Sequence, residues 1–270
     1  MVDYQDQTSA WNNKLIEINS AGNAILRVET TPTVTGNRKS IRLHNRNIFN
    51  GGLLVFDAVH MPVGCGTWPA FWTNGPDWPN KGEIDIVEGV HNGDINQVSI
   101  HTSSGCTISP SPDVLNAVGT LNGGPNCASA ETANGGCGMQ DNYNDNSYGA
   151  RFNKAGGGVY AMKWDDSGIS VYFFSRDKIP QDITNGAPLP DTWPKPIANY
   201  PATTCNPWQF FKDNFAIINT TICGDWAGSP GAWTGSGCAA STGVATCEQF
   251  ARQNGQAYND ACKWYSFSVS

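Results

Sequence analysis

The stretch of residues 82–89 constrains the fold of this chain most, because it combines strand-forming residues with three acids. Its sequence is Gly-Glu-Ile-Asp-Ile-Val-Glu-Gly, and the β-branched residues favour a β-strand. Side chains alternate faces along a strand, so Glu83 and Asp85 share one face, whereas strict alternation places Glu88 on the other. There it would be a buried, unpaired charge. We therefore predict a β-bulge near residues 86–87, which returns Glu88 to the face of the other two acids.

The composition favours many strands joined by turns. Only 14% of the 270 residues are charged, and 30 glycines and 16 prolines separate short apolar segments. We predict a single all-β domain over residues 1–270, a sandwich with one short helix at 245–253 capped by Thr246. A hairpin turn is predicted at 165–168. The predicted strands are 14–18, 24–29, 39–45, 52–60, 82–88, 95–102, 158–164, 168–175, 213–219 and 263–269.

The nine cysteines indicate disulfides in a secreted protein, because no C-x-x-C spacing supports a zinc site. Roughly 105 pairings exist for any eight of them, so the pairing stays open. We expect cysteine-stapled loops at 103–157 and 220–247. The ninth cysteine is either a free thiol or has lost a disulfide partner that lies outside this chain. Met1 is interpreted as a start codon added to a mature secreted fragment.

Charge and hydropathy argue against two classes of partner. The net charge is −7 and no long run of Lys and Arg occurs, so nucleic acid is not expected to bind. No apolar segment approaches the roughly 18 residues that span a membrane. We also expect a secreted, extracellular monomer.

Three acids on one strand face fit acid–base chemistry at a glycosidic bond. Retaining glycosidases hold two carboxyl groups about 5–5.5 Å apart, and inverting ones about 6.5–9.5 Å. Strand geometry leaves roughly 5–7 Å between the carboxyl groups of Glu83 and Glu88, which favours retention without deciding which one attacks. Asp85, between them, could hydrogen-bond the nucleophile. A solvated acidic face or a calcium site is the alternative explanation.

Aromatic residues and a histidine surround this strand in the sequence. Indole rings stack on the apolar faces of sugars but also fill cores. We expect Trp68 to lie in the core, and Trp72 and Trp78 to line a groove. A hairpin near residues 92–94 would place His101 beside the carboxylates, although a core histidine is equally compatible. The one N-x-S/T sequon, at Asn219, either faces the groove or carries a glycan.

Together these residues resemble the laminarinase-type branch of glycoside hydrolase family 16, particularly the secreted fungal endo-β-1,3(4)-glucanases. The signature of that family is Trp-Pro-Ala-Phe-Trp followed by Gly-Glu-Ile-Asp-x-x-Glu. Both elements are present here, at 68–72 and 82–88. The similarity covers nearly the whole chain, with further matches at 60–62, 147–149, 156–161, 179–183 and 224–228.

The resemblance implies a concanavalin A-like β-jelly roll of two antiparallel sheets with a sugar groove on the concave sheet. It also implies retaining endo-hydrolysis of β-1,3- or mixed β-1,3/1,4-glucans, with Glu83 as nucleophile, Asp85 as its helper and Glu88 as acid/base. Trp226 would be a further groove tryptophan. No cofactor is implied, and a structural calcium on the convex face has no readable motif. The alternatives are a cell-wall transglycosylase and a non-catalytic glucan-binding protein.

Two positions depart from the family pattern. Relatives usually have an aromatic-rich segment before the stretch that matches residues 2–4, and it is absent here. We therefore expect one edge strand and the partner of one cysteine to be missing. Asp57 replaces a basic residue of many relatives, so the corresponding subsite contact is not expected.

Overall fold

The computed structural model describes residues 1–259 and 263–265. Its strands are β1 Val2–Tyr4, β2 Ile16–Ile18, β3 Ala24–Arg27, β4 Arg38–Ser40, β5 Arg42–His44, β6 Gly52–Ala58, β7 Thr67–Asn74, β8 Glu83–Glu88, β9 Gln97–His101, β10 Thr120–Asn122, β11 Cys137–Gln140, β12 Gly158–Asp165, β13 Gly168–Ser175, β14 Ala198–Pro201, β15 Phe215–Ile222 and β16 Lys263–Tyr265. Its α-helices are α1 Gln7–Asn12, α2 Pro112–Leu115, α3 Gly149–Lys154, α4 Gln181–Thr184, α5 Pro207–Phe210, α6 Gly224–Ala227, α7 Pro230–Gly235, α8 Cys238–Thr242 and α9 Cys247–Gln253.

Two antiparallel sheets form the predicted sandwich. The larger sheet has seven strands in the order β10-β11-β9-β8-β7-β15-β5, and the other has four in the order β14-β13-β12-β6. A three-stranded sheet, β16-β3-β2, and a parallel pair, β1 and β4, complete the strands of the described residues. Strand β8 therefore lies at the centre of the seven-stranded sheet.

The main core fills the space between the two large sheets. Phe56 on β6 stacks on Phe71 on β7, with ring centroids 4.1 Å apart, so the two sheets meet through these rings. The outer face of the four-stranded sheet is apolar as well, since Tyr172 and Phe174 pack edge-on against Trp193. Burial on both faces explains why residues 168–175 form one continuous apolar run. Polar side chains collect instead on the outer face of the seven-stranded sheet.

Most predicted strands are confirmed, some with different limits. Segment 39–45 divides into β4 and β5, and 213–219 is shifted to Phe215–Ile222. Strand β16 covers the start of 263–269, and residues 266–270 lie outside the described residues. The predicted hairpin joins β12 to β13, with Asp165 opposite Gly168. Asp57 lies on β6, where its carboxylate pairs with Arg176 across 2.6 Å, so it forms a structural ion pair in the four-stranded sheet.

Several elements were not predicted. Strand β7 was missed because Pro69 argues against a central strand, yet β7 lies between β8 and β15. Helix α9 is confirmed, and Thr246 accepts a hydrogen bond from the Gln249 N–H at 3.2 Å. The expectation of a single helix is wrong, since eight more short α-helices occur in residues 1–259. They have four to six residues, too few for a helical period to appear in the sequence.

Four disulfides hold the two regions that were predicted as loops, but these regions also contain β10, β11 and the short helices α2, α3, α6, α7 and α8. The disulfides join Cys65 to Cys238, Cys106 to Cys205, Cys127 to Cys137, and Cys223 to Cys247. The ninth cysteine, Cys262, lies outside the described residues. Within the described ranges, the helices are too short or too polar to cross a lipid bilayer.

Candidate active site

The predicted β-bulge is present and brings the three acids of β8 to one face. On β9, Ser99 lies opposite Asp85 and Gln97 lies opposite Glu88, so two steps on β9 match three on β8. The two residues between the acids, Ile86 and Val87, are both fully buried in the core. The extra residue therefore lets Glu88 share the groove face with Glu83 and Asp85.

The acids lie in the middle of a groove that crosses the seven-stranded sheet. On one side of them is a cavity of about 580 Å³, and on the other a smaller one of about 190 Å³. Trp68, Glu83 and Glu88 line both cavities. The structure places the remaining sequence-predicted residues along the same groove, with His101, Trp78 and Trp226 in the larger cavity and Trp72 and Asp85 in the smaller one.

Glu83 is a carboxyl with a high proton affinity. Burial raises its pKa to about 8, and the negative charge of Asp85 adds to this effect. Its side chain hydrogen-bonds to Asp85 and to Trp78, an indole that is 42% exposed at the groove surface. Glu83 also lies opposite His101 in the register of β8 and β9.

Asp85 is the most buried of the three acids, with 2% of its surface exposed. Burial raises its pKa well above the usual range, and the charge of Glu88 raises it further. The Nε2 atom of His101 lies 3.3 Å from Asp85 Oδ2. The position of His101 beside the carboxylates thus follows from the predicted pairing of β9 with β8.

Glu88 is held by a tryptophan that we expected in the core. Trp68 Nε1 donates a hydrogen bond to Glu88 Oε1 at 2.9 Å, so the expectation for Trp68 is wrong and its ring lines the groove. Burial raises the pKa of Glu88 to about 7, while the hydrogen bond from Trp68 opposes the rise. Trp226 meets the ring of Trp68 edge-on, with centroids 5.8 Å apart.

A hydrogen-bond network orients Trp72 in the smaller cavity. Asn219 accepts from Trp72 Nε1 at 2.6 Å and donates to the hydroxyls of Tyr4 and Thr221. The guanidinium of Arg42 stacks on the same indole, 4.6 Å from the ring centroid. The sequon asparagine therefore faces the groove. Sequence reasoning missed the other members, because they come from strands far from Trp72 in the chain.

Among residues 1–259 and 263–265, one group of ligand-type side chains lies close enough together to hold a metal ion. It consists of Glu83, Asp85 and His101, whose ligand atoms lie within 4.8 Å of one another. These side chains are the acids and histidine of the groove itself, not a site on the opposite sheet. Two glutamates of high proton affinity, flanked by aromatic rings, are suited to proton transfer and nucleophilic attack at a sugar.

Comparisons with known proteins point to one family. A family model described as the XgeA-like, catalytic GH16 domain matches residues 1–269. The probable glycosidase C21B10.07 of Schizosaccharomyces pombe is 41% identical over 262 residues, covering 96% of this chain and 60% of that protein. An endo-1,3(4)-beta-glucanase of Arthroderma benhamiae is 40% identical, covering 96% of this chain and 56% of that protein. The chain thus spans little more than half the length of these relatives.

Two solved structures are similar over almost the whole chain. Laminarinase 16A from Phanerochaete chrysosporium, with β-glucans in its donor and acceptor sites, has a TM-score of 0.91 and 38% identity, covering 99% of this chain and 89% of that one. An elongating GH family 16 β-1,3-glucosyltransferase has a TM-score of 0.88 and 34% identity, covering 100% of this chain and 90% of that one.

Proposed function

Because the chain belongs to glycoside hydrolase family 16 and has its jelly-roll fold, we propose that it is a retaining endo-β-glucanase. The substrates are β-1,3-glucans, mixed β-1,3/1,4-glucans or both, as the name of the Arthroderma benhamiae relative suggests. One observation carries the proposal. The bulge places Glu83 and Glu88 on the same face of β8, in the middle of a groove lined by tryptophans.

The first step forms a covalent glycosyl-enzyme. A carboxylate oxygen of Glu83 attacks the anomeric carbon while the bond from that carbon to the glycosidic oxygen breaks. Glu88 gives its proton to the departing oxygen. A pKa of about 7 keeps a large share of Glu88 protonated at neutral pH, which a general acid requires.

Asp85 controls the charge of the nucleophile. Three carboxylates this close cannot all be ionised, and the most deeply buried one retains its proton most easily. A protonated Asp85 no longer repels Glu83, and its O–H donates a hydrogen bond to the Glu83 carboxylate. Both changes oppose the rise that burial causes in the pKa of Glu83, so Glu83 becomes the acid that ionises and attacks.

The second step releases the sugar with its original configuration. Glu88, now ionised, takes a proton from water as the water oxygen attacks the anomeric carbon, and the bond to Glu83 breaks. The negative charge of Glu83 is one cause of the raised pKa of Glu88, and this charge is absent in the covalent intermediate. The pKa of Glu88 therefore falls when it must act as a base.

The groove residues hold the glucan on both sides of the cleaved bond. Trp78 and Trp226 offer indole faces in the larger cavity, and Trp72 does so in the smaller one. His101 lies beside Asp85, where its imidazole can reach a sugar hydroxyl in the groove. The four disulfides support a secreted protein that meets its polysaccharide outside the cell.

Glucan transfer is the second candidate, because a β-1,3-glucosyltransferase of the same family is 34% identical to this chain. A sugar hydroxyl would then replace water in the second step, with Glu88 again as the base. The carboxylates are the same in both reactions. The choice depends on how tightly the groove binds an acceptor sugar.

The proposal is tested by incubating the protein with laminarin and with mixed-linkage glucan. NMR and a reducing-end assay follow the products. The wild type should release new reducing ends whose first-formed anomer is β. Glu83→Gln and Glu88→Gln should each lose at least about 100-fold in kcat. Chain redistribution without new reducing ends would indicate transfer. Full activity in both variants would refute the assigned residues, and a first-formed α-anomer would refute retention.

A further inference from the structure

The side chain of Asn96, the residue before β9, bridges the β-bulge of β8. Its Oδ1 accepts a hydrogen bond from the Glu88 N–H at 3.1 Å, and its Nδ2 donates one to the Ile86 carbonyl at 2.9 Å. Asn96 is fully buried. A bulge interrupts the regular ladder, and buried backbone groups without partners are costly. The amide of Asn96 thus supplies partners to backbone groups on both sides of Val87.

Asn96 is itself fixed by a separate segment of the chain. Its N–H donates to Ser147 Oγ at 3.2 Å, and its carbonyl accepts from the Asp141 N–H at 2.9 Å. The carboxylate of Asp141, which is 1% exposed, is bound in turn by Asn144. All four polar groups of Asn96 therefore have partners. Its position is fixed independently of the bulge that it supports.

The same segment also packs directly behind the end of β8. The ring of Tyr148 lies so close to Gly89 that a Cβ there would be 2.6 Å from a ring carbon. Residue 89 follows Glu88 in the chain. The backbone of Glu88 is thus held by Asn96 on one side and by the packing of Tyr148 on the next residue.

We propose that Asn96 is a positioning residue for the general acid/base Glu88. It does not contact the groove. It fixes two backbone groups of the bulge, the Ile86 carbonyl and the Glu88 N–H, and the bulge determines which face of β8 carries the Glu88 carboxyl. A weakened bulge lets the strand sample the regular alternation, in which Glu88 points away from the glycosidic oxygen. This inference rests on the proposed function of Glu88.

The test compares Asn96→Ala and Asn96→Asp with a matched control, Asn153→Ala. Asn153 on α3 makes the same two kinds of bond, since it accepts from the Met61 N–H at 2.8 Å and donates to the Met61 carbonyl at 3.0 Å. It lines neither cavity of the groove. Each protein is assayed on laminarin and on a 2,4-dinitrophenyl β-laminaribioside. The dinitrophenolate leaves without a proton, so its departure does not need the acid.

Asn96→Ala should lose roughly 30- to 100-fold in kcat/KM on laminarin, mainly through kcat, but less than about fivefold on the aryl substrate. Azide should restore turnover of the aryl substrate, because it attacks the covalent intermediate without a base. Asn96→Asp retains the acceptor for the Glu88 N–H and should lose less kcat/KM on laminarin than Asn96→Ala. Its added negative charge should move the alkaline limb of the kcat/KM profile to higher pH. Asn153→Ala should change kcat/KM by the same factor on both substrates.

The outcomes separate this inference from the proposed function. If Asn96→Ala and Asn96→Asp each lose the same factor in kcat/KM on both substrates, as the control does, Asn96 is only structural and the inference is overturned. Asn96→Asp is isosteric and carries the test if Asn96→Ala does not fold. Glu88→Gln, measured in parallel, must show the same contrast between substrates with azide rescue. If it does not, Glu88 is not the acid/base, and the proposed function fails together with the inference.

Discussion

The indole N–H of Trp68 donates a hydrogen bond to the Glu88 carboxylate at 2.9 Å, inside the groove. A hydrogen bond from a neutral donor favours the ionised form of a carboxyl. Burial favours the protonated form and prevails, so the pKa of Glu88 is raised, but only to about 7. The tryptophan therefore keeps Glu88 in the range where it can both give and take a proton.

Trp68→Phe should move the alkaline limb of the pH profile to higher pH. The ring remains, but the donor to the ionised carboxylate is lost, so the pKa of Glu88 rises. A hydrogen bond to a charged group is worth about 1.5–3 kcal/mol, so we expect the alkaline limb to move by roughly one to two pH units. The profile of kcat/KM from pH 4 to 9 measures this shift. An unchanged alkaline limb would show that Trp68 does not tune Glu88.

The buried acid Glu88 should make the protein less stable as pH rises. Burial raises its pKa to about 7, against 4.5 for an unperturbed glutamate. Above about pH 4.5 the unfolded chain releases a proton that the folded protein keeps. The contribution of this proton to the free energy of unfolding is therefore full below pH 4.5 and is lost as pH rises through 7.

Glu88→Gln removes this dependence. Relative to the wild type, we expect little gain in the free energy of unfolding at pH 4 and a gain on the order of 1–3 kcal/mol at pH 8. Urea denaturation of both proteins at the two pH values measures the difference. A pH-independent difference would mean that Glu88 is not protonated in the folded protein.

Asn219→Ala should weaken glucan binding through Trp72. Without the amide, the indole N–H of Trp72 loses its acceptor and the ring is free to turn. We expect KM for laminari-oligosaccharides to rise about five- to tenfold, with a smaller change in kcat. The control is Asn199→Ala on β14 of the four-stranded sheet, where the side chain donates to the carbonyl of Leu115 in α2. Equal effects of the two variants would argue against a role for Asn219 in the groove.

The sequon at Asn219 should remain without glycan in the folded protein. The residue is 5% exposed and both its side-chain atoms make hydrogen bonds, so an attached sugar would displace Trp72 and Tyr4. Mass spectrometry of the peptide that contains Asn219, from protein secreted by a fungal host, measures its occupancy. Full occupancy with retained activity would contradict the packing of this asparagine against the groove.

The local sequence pattern was sufficient to predict the bulge. It was not sufficient to predict which residues surround the bulge. A charge on the wrong face of β8 is a local conflict, visible in six residues, and it predicted where Glu88 must lie. The face of Trp68 was not predictable, because β7 itself was not recognised as a strand. Asn96 depends on Ser147, 51 residues away, and Asn219 depends on Tyr4, 215 residues away. Alternation determines faces, but which strands become neighbours is determined by the whole fold.

The disulfide between Cys127 and Cys137 closes a short loop onto the groove. Ala133 and Asn134 of this loop line the larger cavity, and both have a positive φ, of 49° and 65°. At Gly136 a Cβ would lie 2.8 Å from His101 Nδ1, so the loop packs directly on the histidine. Left-handed backbone at Ala133 is unfavourable and persists only when the surroundings impose it. The disulfide provides part of that constraint.

Replacing both Cys127 and Cys137 by serine should therefore weaken glucan binding. The effect on binding should be larger than the loss of stability alone would cause. Their sequence separation is 10, for which the loop-entropy estimate is about 2–3 kcal/mol of lost stability. We expect KM for laminari-oligosaccharides to rise at least fivefold, since the loop no longer holds its shape beside His101. The control pair, Cys106 and Cys205, has a separation of 99 and should cost more stability, about 4–5 kcal/mol, with KM unchanged. If KM instead follows stability across the two pairs, the short disulfide does not shape the groove.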